Sequence, residues 1–241
     1  MNLGLSISTY FIDDYPERFE TFKTCINSLK NTNYDGIIEV VDDCSNSKKH
    51  LEWLNNTYQD ITIIERNKNG GTSAVKNAGI KSLLNKNIEF GFLIDDDILF
   101  KDKDWFKYYY DAYKKTNIHH FSFFQYKKTN INYKRTIKII NNIKLSYTSS
   151  VHGAFLTFTP EMINKMGYFK ILKYKYGGGH VNFSIRAKKF GFCEEFTDLE
   201  NALDLLDLLS SPTSLKFKDM KKIHENLKYH TKYLNYVEYV D

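Results

Sequence analysis

The chain has 241 residues, 42% hydrophobic and 16% aromatic, enough to bury a full core as one domain or as one domain with an extension. Its net charge of +5 is modest and no nucleic-acid module concentrates it. No stretch approaches the ~20 apolar residues of a membrane span, so a nucleic-acid binder and an integral membrane protein are both set aside. Cys25, Cys44 and Cys193 lie too far apart for a zinc pattern and read as free thiols of a reducing compartment. Met1-Asn2-Leu3-Gly4 lacks the basic and apolar regions of a signal peptide, so the expectation is a soluble or peripheral cytoplasmic protein.

Leu3 to Phe11 mixes apolar and β-branched residues with small polar ones, predicting a first strand that runs into a loop at Asp13, Asp14 and Pro16. Pro16 and Glu17 suit a first helical turn, and Phe19, Phe22, Ile26 and Leu29 give that helix an apolar face. Ile37 to Val41 is a second strand pattern. It stops at Asp42-Asp43-Cys44-Ser45, where Ser45 or Asn46 can cap a helix carrying Leu51, Trp53 and Leu54. Ile61 to Ile64 is a third strand, followed by a turn cluster, Asn67 to Thr72, and a helix from about Ser73 to Leu84. Phe90 to Ile94 is a continuous apolar run, as in a strand covered on both faces, and it ends in Asp95-Asp96-Asp97.

This alternation predicts an α/β fold with a mostly parallel sheet flanked by helices. The polar clusters at Ser8-Thr9, Asp42-Asp43, Asn69-Gly70 and Asp95 to Asp97 all follow strands, so they should converge on one crevice suited to a nucleotide. Three adjacent carboxylates repel one another. A divalent Mg²⁺ or Mn²⁺ would relieve that and serve a phosphate substrate; an acidic turn or helix cap is the alternative. In an extended chain Asp95 and Asp97 share one side and Asp96 points the other way.

Beyond the triplet, Trp105 to Tyr113 reads as an amphipathic helix. His120 to Tyr126, Thr136 to Ile140 and Ile143 to Ser149 read as strands, with Asn141-Asn142 as a turn. His152 to Phe158 predicts a strand leading to a helix that opens with Pro160-Glu161. Tyr174 to Gly179 is a glycine-rich loop, and Val181 to Phe190 a helix stopped by Gly191. Residues 199 to 209 alternate Leu with acidic residues at helical spacing. Leu215 to Tyr236 is a basic, aromatic helical pattern, so residues 198–241 are expected to form a helical extension to a domain of residues 1–197. That extension suits packing on the domain or on another subunit. Alternatively, Lys216, Lys218, Lys221, Lys222, Lys228 and Lys232, interleaved with Phe217, Tyr229 and Tyr233, suit an anionic bilayer.

Several separated motifs, in order over roughly residues 3 to 195, resemble the nucleotide-sugar glycosyltransferases of family 2, which have the GT-A fold. Ile7-Ser8-Thr9-Tyr10 resembles the first strand and loop over the nucleotide. Val40 to Ser45 is similar to the second-strand motif whose second Asp, here Asp43, contacts the base. Asn69-Gly70-Gly71 with Lys76-Asn77-Ala78-Gly79 looks like the glycine-rich segment and following helix. Asp95-Asp96-Asp97 stands at the Asp-x-Asp metal motif, with Asp95 and Asp97 as the outer pair. Gly153-Ala154-Phe155 and Met166 to Phe169 are similar to the acceptor-side strand and helix, and Tyr176 to Arg186 resembles the segment whose Asp deprotonates the acceptor hydroxyl in inverting members.

Three acidic positions of that last segment are Gly179, His180 and Asn182 here. His180 is assigned as the base, since an imidazole titrates near working pH; the alternatives are a further metal ligand, or a degenerate member that binds nucleotide or glycan and scaffolds a partner enzyme. The resemblance implies a metal-dependent transfer from a nucleoside diphosphate sugar, UDP-linked by preference, to a glycan or lipid-linked acceptor in surface polysaccharide synthesis, with inversion. Thr9, Tyr10, Asp43, Gly70, Lys76, Asp95 and Asp96 would line the nucleotide site, Asp95 and Asp97 would hold Mn²⁺ or Mg²⁺, and His152, Gly179 and Asn182 would border acceptor or diphosphate. Taken singly, Asp43 can instead be a helix cap, Gly70-Gly71 a plain turn, Lys76 a solvated lysine and His152 a core or surface histidine. His119, His120 and Arg186 are read as structural.

Overall fold

A computed structural model describes residues 1–12, 16–124, 135–175, 177–209, 225–226 and 234–240. Strands β1 (Leu3–Thr9), β2 (Ile37–Asp42), β3 (Ile61–Glu65) and β4 (Phe90–Asp95) are separated by helices α1 (Pro16–Lys30), α2 (Lys49–Thr57) and α3 (Thr72–Asn85). All four strands are parallel neighbours in the order β3-β2-β1-β4. Parallel strands need a crossover, and the three helices supply it. β8 (Phe155–Phe158) closes the far edge of this sheet, antiparallel to β4.

The remaining strands are β5 (Ile98–Phe100), β6 (Arg135–Ile140), β7 (Ile143–Thr148), β9 (Phe196–Leu199) and β10 (Leu206–Leu208). β6, β7 and β9 form an antiparallel sheet, and β10 pairs with β5. The turn at Asn141-Asn142 has φ of 48° and 66°, the pair of left-handed residues that a tight hairpin between twisted strands requires. Helices α4 (Trp105–Thr116), α5 (Pro160–Met166), α6 (Gly179–Lys189) and the short α7 (Ala202–Leu205) complete the order.

β4 is anchored by aromatic packing, which accounts for much of the aromatic content. Phe92 sits 4.7 Å from Trp105 and Tyr109 sits 4.8 Å from Phe155, all fully buried. Truncating such a ring to Ala typically costs about 3–5 kcal/mol, so the strand that carries the Asp triplet is held rigidly from its own apolar side chains.

Three local expectations are corrected. No strand runs from His120 to Phe124, and 125–126 lie outside the described residues. Phe121 N donates to the Thr157 hydroxyl, Ser122 N to Thr197 O and Phe123 N to Phe155 O, so this segment bridges β8 and β9 without a regular ladder. α2 begins at Lys49 without a side-chain cap, because the Ser45 hydroxyl accepts from Phe11 N and donates to Asp42. The helical spacing over 199–209 gives only α7. Residues 206–208 instead pair with the free edge of β5, and Leu209 N donates to Asp97 O at 2.8 Å. β9 spans Phe196–Leu199, and Leu199, Ala202, Leu205 and Leu206 join the common core. The lysines and aromatics of the basic pattern, Lys216 to Tyr233, lie outside the described residues. Among the described residues no helix is long and apolar enough to cross a membrane, and the three cysteines are unpaired thiols.

Candidate active site

The carboxyl ends of β1, β2 and β4, the turn before α3 and the start of α6 come together at one edge of the large sheet. Parallel strands all point their carboxyl ends the same way, so this convergence follows from the topology. Asp42 and Asp43 end β2 and divide their work. Asp42 is buried among Ser45, Lys48 and His50; burial raises its carboxyl, but those neighbours outweigh it and hold it at about 2. It ties the end of β2 to the loop after β1 through Ser45.

Asp43 turns towards the glycine turn. Its carboxylate accepts from Gly70 N at 3.0 Å, from Gly71 N at 2.7 Å and from the Arg66 guanidinium. The helix-cap alternative therefore fails: Asp43 organises Gly70-Gly71, not the start of α2. Burial still leaves its carboxyl above the usual range despite these donors. Gly71 is the N-cap of α3 with φ of 80°.

The Asp triplet splits by the pleat of the chain. Asp95 faces α3, where Lys76 Nζ lies 2.6 Å from its Oδ1. Asp96 faces α1, accepting from Arg18 at 2.9 and 3.0 Å and from the Thr9 hydroxyl at 2.6 Å. Arg18 also donates to Tyr10 O, fixing the loop after β1. Lys76 is 3% exposed, so it is not a solvated lysine.

Asp97 differs from both. Its Oδ1 is buried with no hydrogen-bond partner among the described residues, and burial together with the charges of Asp95 and Asp96 pushes its carboxyl up to about 7. A buried acceptor in that state calls for a cation or a proton. The donor set is carboxylate oxygen, which suits Mg²⁺ or Mn²⁺. Among the described residues no group of three or more His, Cys, Asp or Glu gathers that could hold a metal ion.

His180 stands in the first turn of α6, half-buried. A Cβ added to Gly153 would meet His180 Nδ1 at 2.7 Å, so the imidazole packs directly on that backbone. The next residue, Ala154, accepts a hydrogen bond from Asp95 N at 2.8 Å. His180 thus packs, from the other half of the chain, on the segment whose backbone bonds the end of β4. Gly179 is buried where a side chain would collide with Ser73 at the start of α3. Asn182 is fully buried and accepts from Arg186 Nε at 2.9 Å, while His152 stacks edge-on to Phe124 at 5.1 Å. Arg186 also donates to Met166 O and Tyr168 O, and His119 and His120 bond to Thr159, Thr157 and Ser184 in the core, as structural residues do.

Two basic residues of the site escaped the sequence reading: Arg18 and Arg66. Arg18 stands in the first turn of α1, nine residues after β1, and Arg66 is the first residue after β3. That position was the available signal.

Residues 15–188 match the model of Glycosyl transferase family 2. The chain belongs to this family. It is 34% identical to an uncharacterized glycosyltransferase of Acanthamoeba polyphaga mimivirus, over the whole of this chain and 95% of that protein. This family 2 glycosyltransferase also shares the GT-A fold of solved structures. S. aureus TarS 1-349 in complex with UDP superposes with a TM-score of 0.61 at 15% identity, covering 97% of this chain and 72% of that one. The mannosyltransferase PcManGT of Pyrobaculum calidifontis, in complex with GDP-Man and Mn²⁺, superposes with a TM-score of 0.58 at 14% identity, covering 79% of this chain. The chain spans about half the length of that mannosyltransferase, 52%, and 54% of TarS 1-349 in a second structure.

Proposed function

We propose that this family 2 glycosyltransferase moves a sugar from a nucleoside diphosphate sugar, UDP-linked by preference, to a hydroxyl of a glycan or lipid-linked acceptor in surface polysaccharide or glycoconjugate synthesis. The observation that carries the reading is the chain of contacts from the His180 ring to the Gly153 backbone and from Ala154 O to Asp95 N, which links the start of α6 to the strand end bearing the carboxylates, where Asp97 Oδ1 is buried without a hydrogen-bond partner among the described residues. The structural relatives solved with UDP, and with GDP-Man and Mn²⁺, support a nucleotide donor and a divalent ion.

Thr9, Tyr10, Asp43 and Gly70 hold the nucleotide, with Arg66 fixed against Asp43. Lys76, already on Asp95, is the nearest ammonium for the diphosphate, and Arg18 keeps Asp96 neutralised on the opposite side. Asp95 and Asp97 would hold Mn²⁺ or Mg²⁺, which when bound offsets charge developing on the leaving diphosphate. His180 takes the proton of the acceptor hydroxyl, the work of an imidazole base, which adds no negative charge beside an anionic donor. Attack from the face opposite the diphosphate inverts the anomeric centre. Gly179 and Asn182 shape the start of α6, and His152 borders it.

The cellular place consistent with this chemistry is cytoplasmic, peripheral on the inner face of the membrane through Lys216 to Lys232. Each lysine held near an anionic surface contributes about 1 kcal/mol, so co-sedimentation with anionic vesicles should weaken sharply with added salt. A thermal-shift screen of UDP- and GDP-sugars with and without Mn²⁺ tests the donor reading. A Mn²⁺-dependent shift with one donor and release of its nucleoside diphosphate are expected; a shift without release would leave nucleotide binding as the activity.

A further inference from the structure

The residues leading to His180, from Met166 to Lys175 and then Gly177-Gly178, are held by side-chain and backbone groups from three distant parts of the chain. At its start, Asn77 of α3 brackets Phe169, donating to its O at 2.8 Å and accepting from its N at 2.7 Å. Val237 N donates to Met166 O at 3.2 Å and Val237 O accepts from Tyr168 N at 2.9 Å. In the middle, Thr72 N, at the start of α3, donates to Lys175 O at 3.1 Å.

The end of the segment has a different anchor. Asn226 is 2% exposed, and its Nδ2 donates to both Tyr174 O, at 3.1 Å, and Gly177 O, at 3.0 Å. Its Oδ1 accepts from Tyr174 N at 3.4 Å, and the adjacent Glu225 accepts from Tyr174 Oη at 2.6 Å. Gly177 immediately precedes Gly178, the N-cap of α6, and the two glycines have φ of 87° and 86°. Successive glycines in the left-handed region have little preference of their own for that conformation. The Asn226 donor on the Gly177 carbonyl is an external contact that holds these glycines at the start of α6.

We infer that Asn226 is a positioning residue for His180, coupling the C-terminal part of the chain to turnover by setting the Tyr174 to Gly177 spacing. One amide group bridges two carbonyls, so the turn cannot open without losing both bonds. The inference rests on the reading of His180 as base. Asn226→Asp tests it, because a carboxylate of the same shape offers no donor and repels both carbonyls; Asn226→Ala is the milder companion variant.

On the full-length protein, both variants are expected to raise hydrogen exchange across residues 172–182 and to lower kcat about tenfold or more, since small misplacements of a reacting group are costly. UDP affinity in Mn²⁺ is expected to stay at the wild-type value, a split that general destabilisation would not produce. Turnover is read as UDP release from whichever UDP-sugar the wild type consumes fastest. Unchanged exchange over 172–182 overturns the positioning role whatever the rates do. Raised exchange with wild-type kcat overturns the link to turnover, and His180→Ala in the same assay then shows whether the reading of His180 has itself failed.

Discussion

Lys76 Nζ lies 2.6 Å from Asp95 Oδ1, with the lysine almost wholly buried and the carboxylate about one-third exposed. A cation from α3 thus already neutralises one of the two carboxylates assigned to the metal. The pair stabilises the site before any donor binds, and the partial exposure of Asp95 keeps its energetic weight at the low end for a buried pair.

Lys76→Met should therefore lower stability without metal by about 1–3 kcal/mol, or roughly 2–12 °C in Tm for a chain of this size. Mn²⁺ should restore more of that loss than it adds to the wild type, because the freed carboxylate has no competing cation. Calorimetric Tm with and without Mn²⁺ checks both parts, and an equal Mn²⁺ increment in the two proteins would remove Lys76 as a competitor.

Asp97→Asn leaves the shape of the turn and alters the carboxylate whose Oδ1 has no partner among the described residues. The Mn²⁺-dependent thermal shift is expected to vanish and nucleotide release to fall by at least about 100-fold, some 2.7 kcal/mol of barrier. Full activity of the variant in saturating chelator would rule out metal dependence.

His180→Ala removes the imidazole from the Gly153 backbone while leaving the nucleotide residues of the first half untouched. Turnover should drop by about 10²- to 10⁴-fold, the usual worth of a general base, with UDP affinity in Mn²⁺ unchanged. Titration calorimetry with UDP and single-donor kinetics separate the two.

Asp198 gives a pH dependence independent of the active site. Burial pushes its carboxyl up to about 7, although Leu199 N and the Tyr109 hydroxyl both donate to it. Because the folded value lies above the unfolded one, the stability it contributes is full below about pH 4 and is lost as pH rises through about 7. Asp198→Asn should flatten the decline in Tm between about pH 5 and pH 8 and be the more stable protein at the upper end. A variant that loses stability equally at both pH values would disprove the assignment.

Local pattern alone made most of the first half of the fold legible. Phe90 to Ile94, Ile37 to Val41 and Ile61 to Ile64 are short apolar runs bounded by turn residues, and each became a parallel strand. The pleat argument for Asp96 was equally local: alternate side chains leave a strand on opposite faces, and Asp96 does turn to α1 while Asp95 turns to α3. Pattern misled at 206–208, where leucines at helical spacing met the unpaired edge of β5 and a ladder formed in place of a helix turn.

What the sequence determined by itself was therefore the alternation of strand and helix, the acidic ends of β2 and β4, and the family to which those motifs point. The tertiary structure decided the pairings: Arg18 with Asp96, Arg66 with Asp43, Lys76 with Asp95, the His180 ring on Gly153, and Asn226 on Tyr174 and Gly177. Periodicity records which face of an element is buried, because burial acts on each residue in turn. The choice of partner depends on which chain ends the packed core brings within hydrogen-bond reach, and residues separated by tens of positions carry no local trace of it.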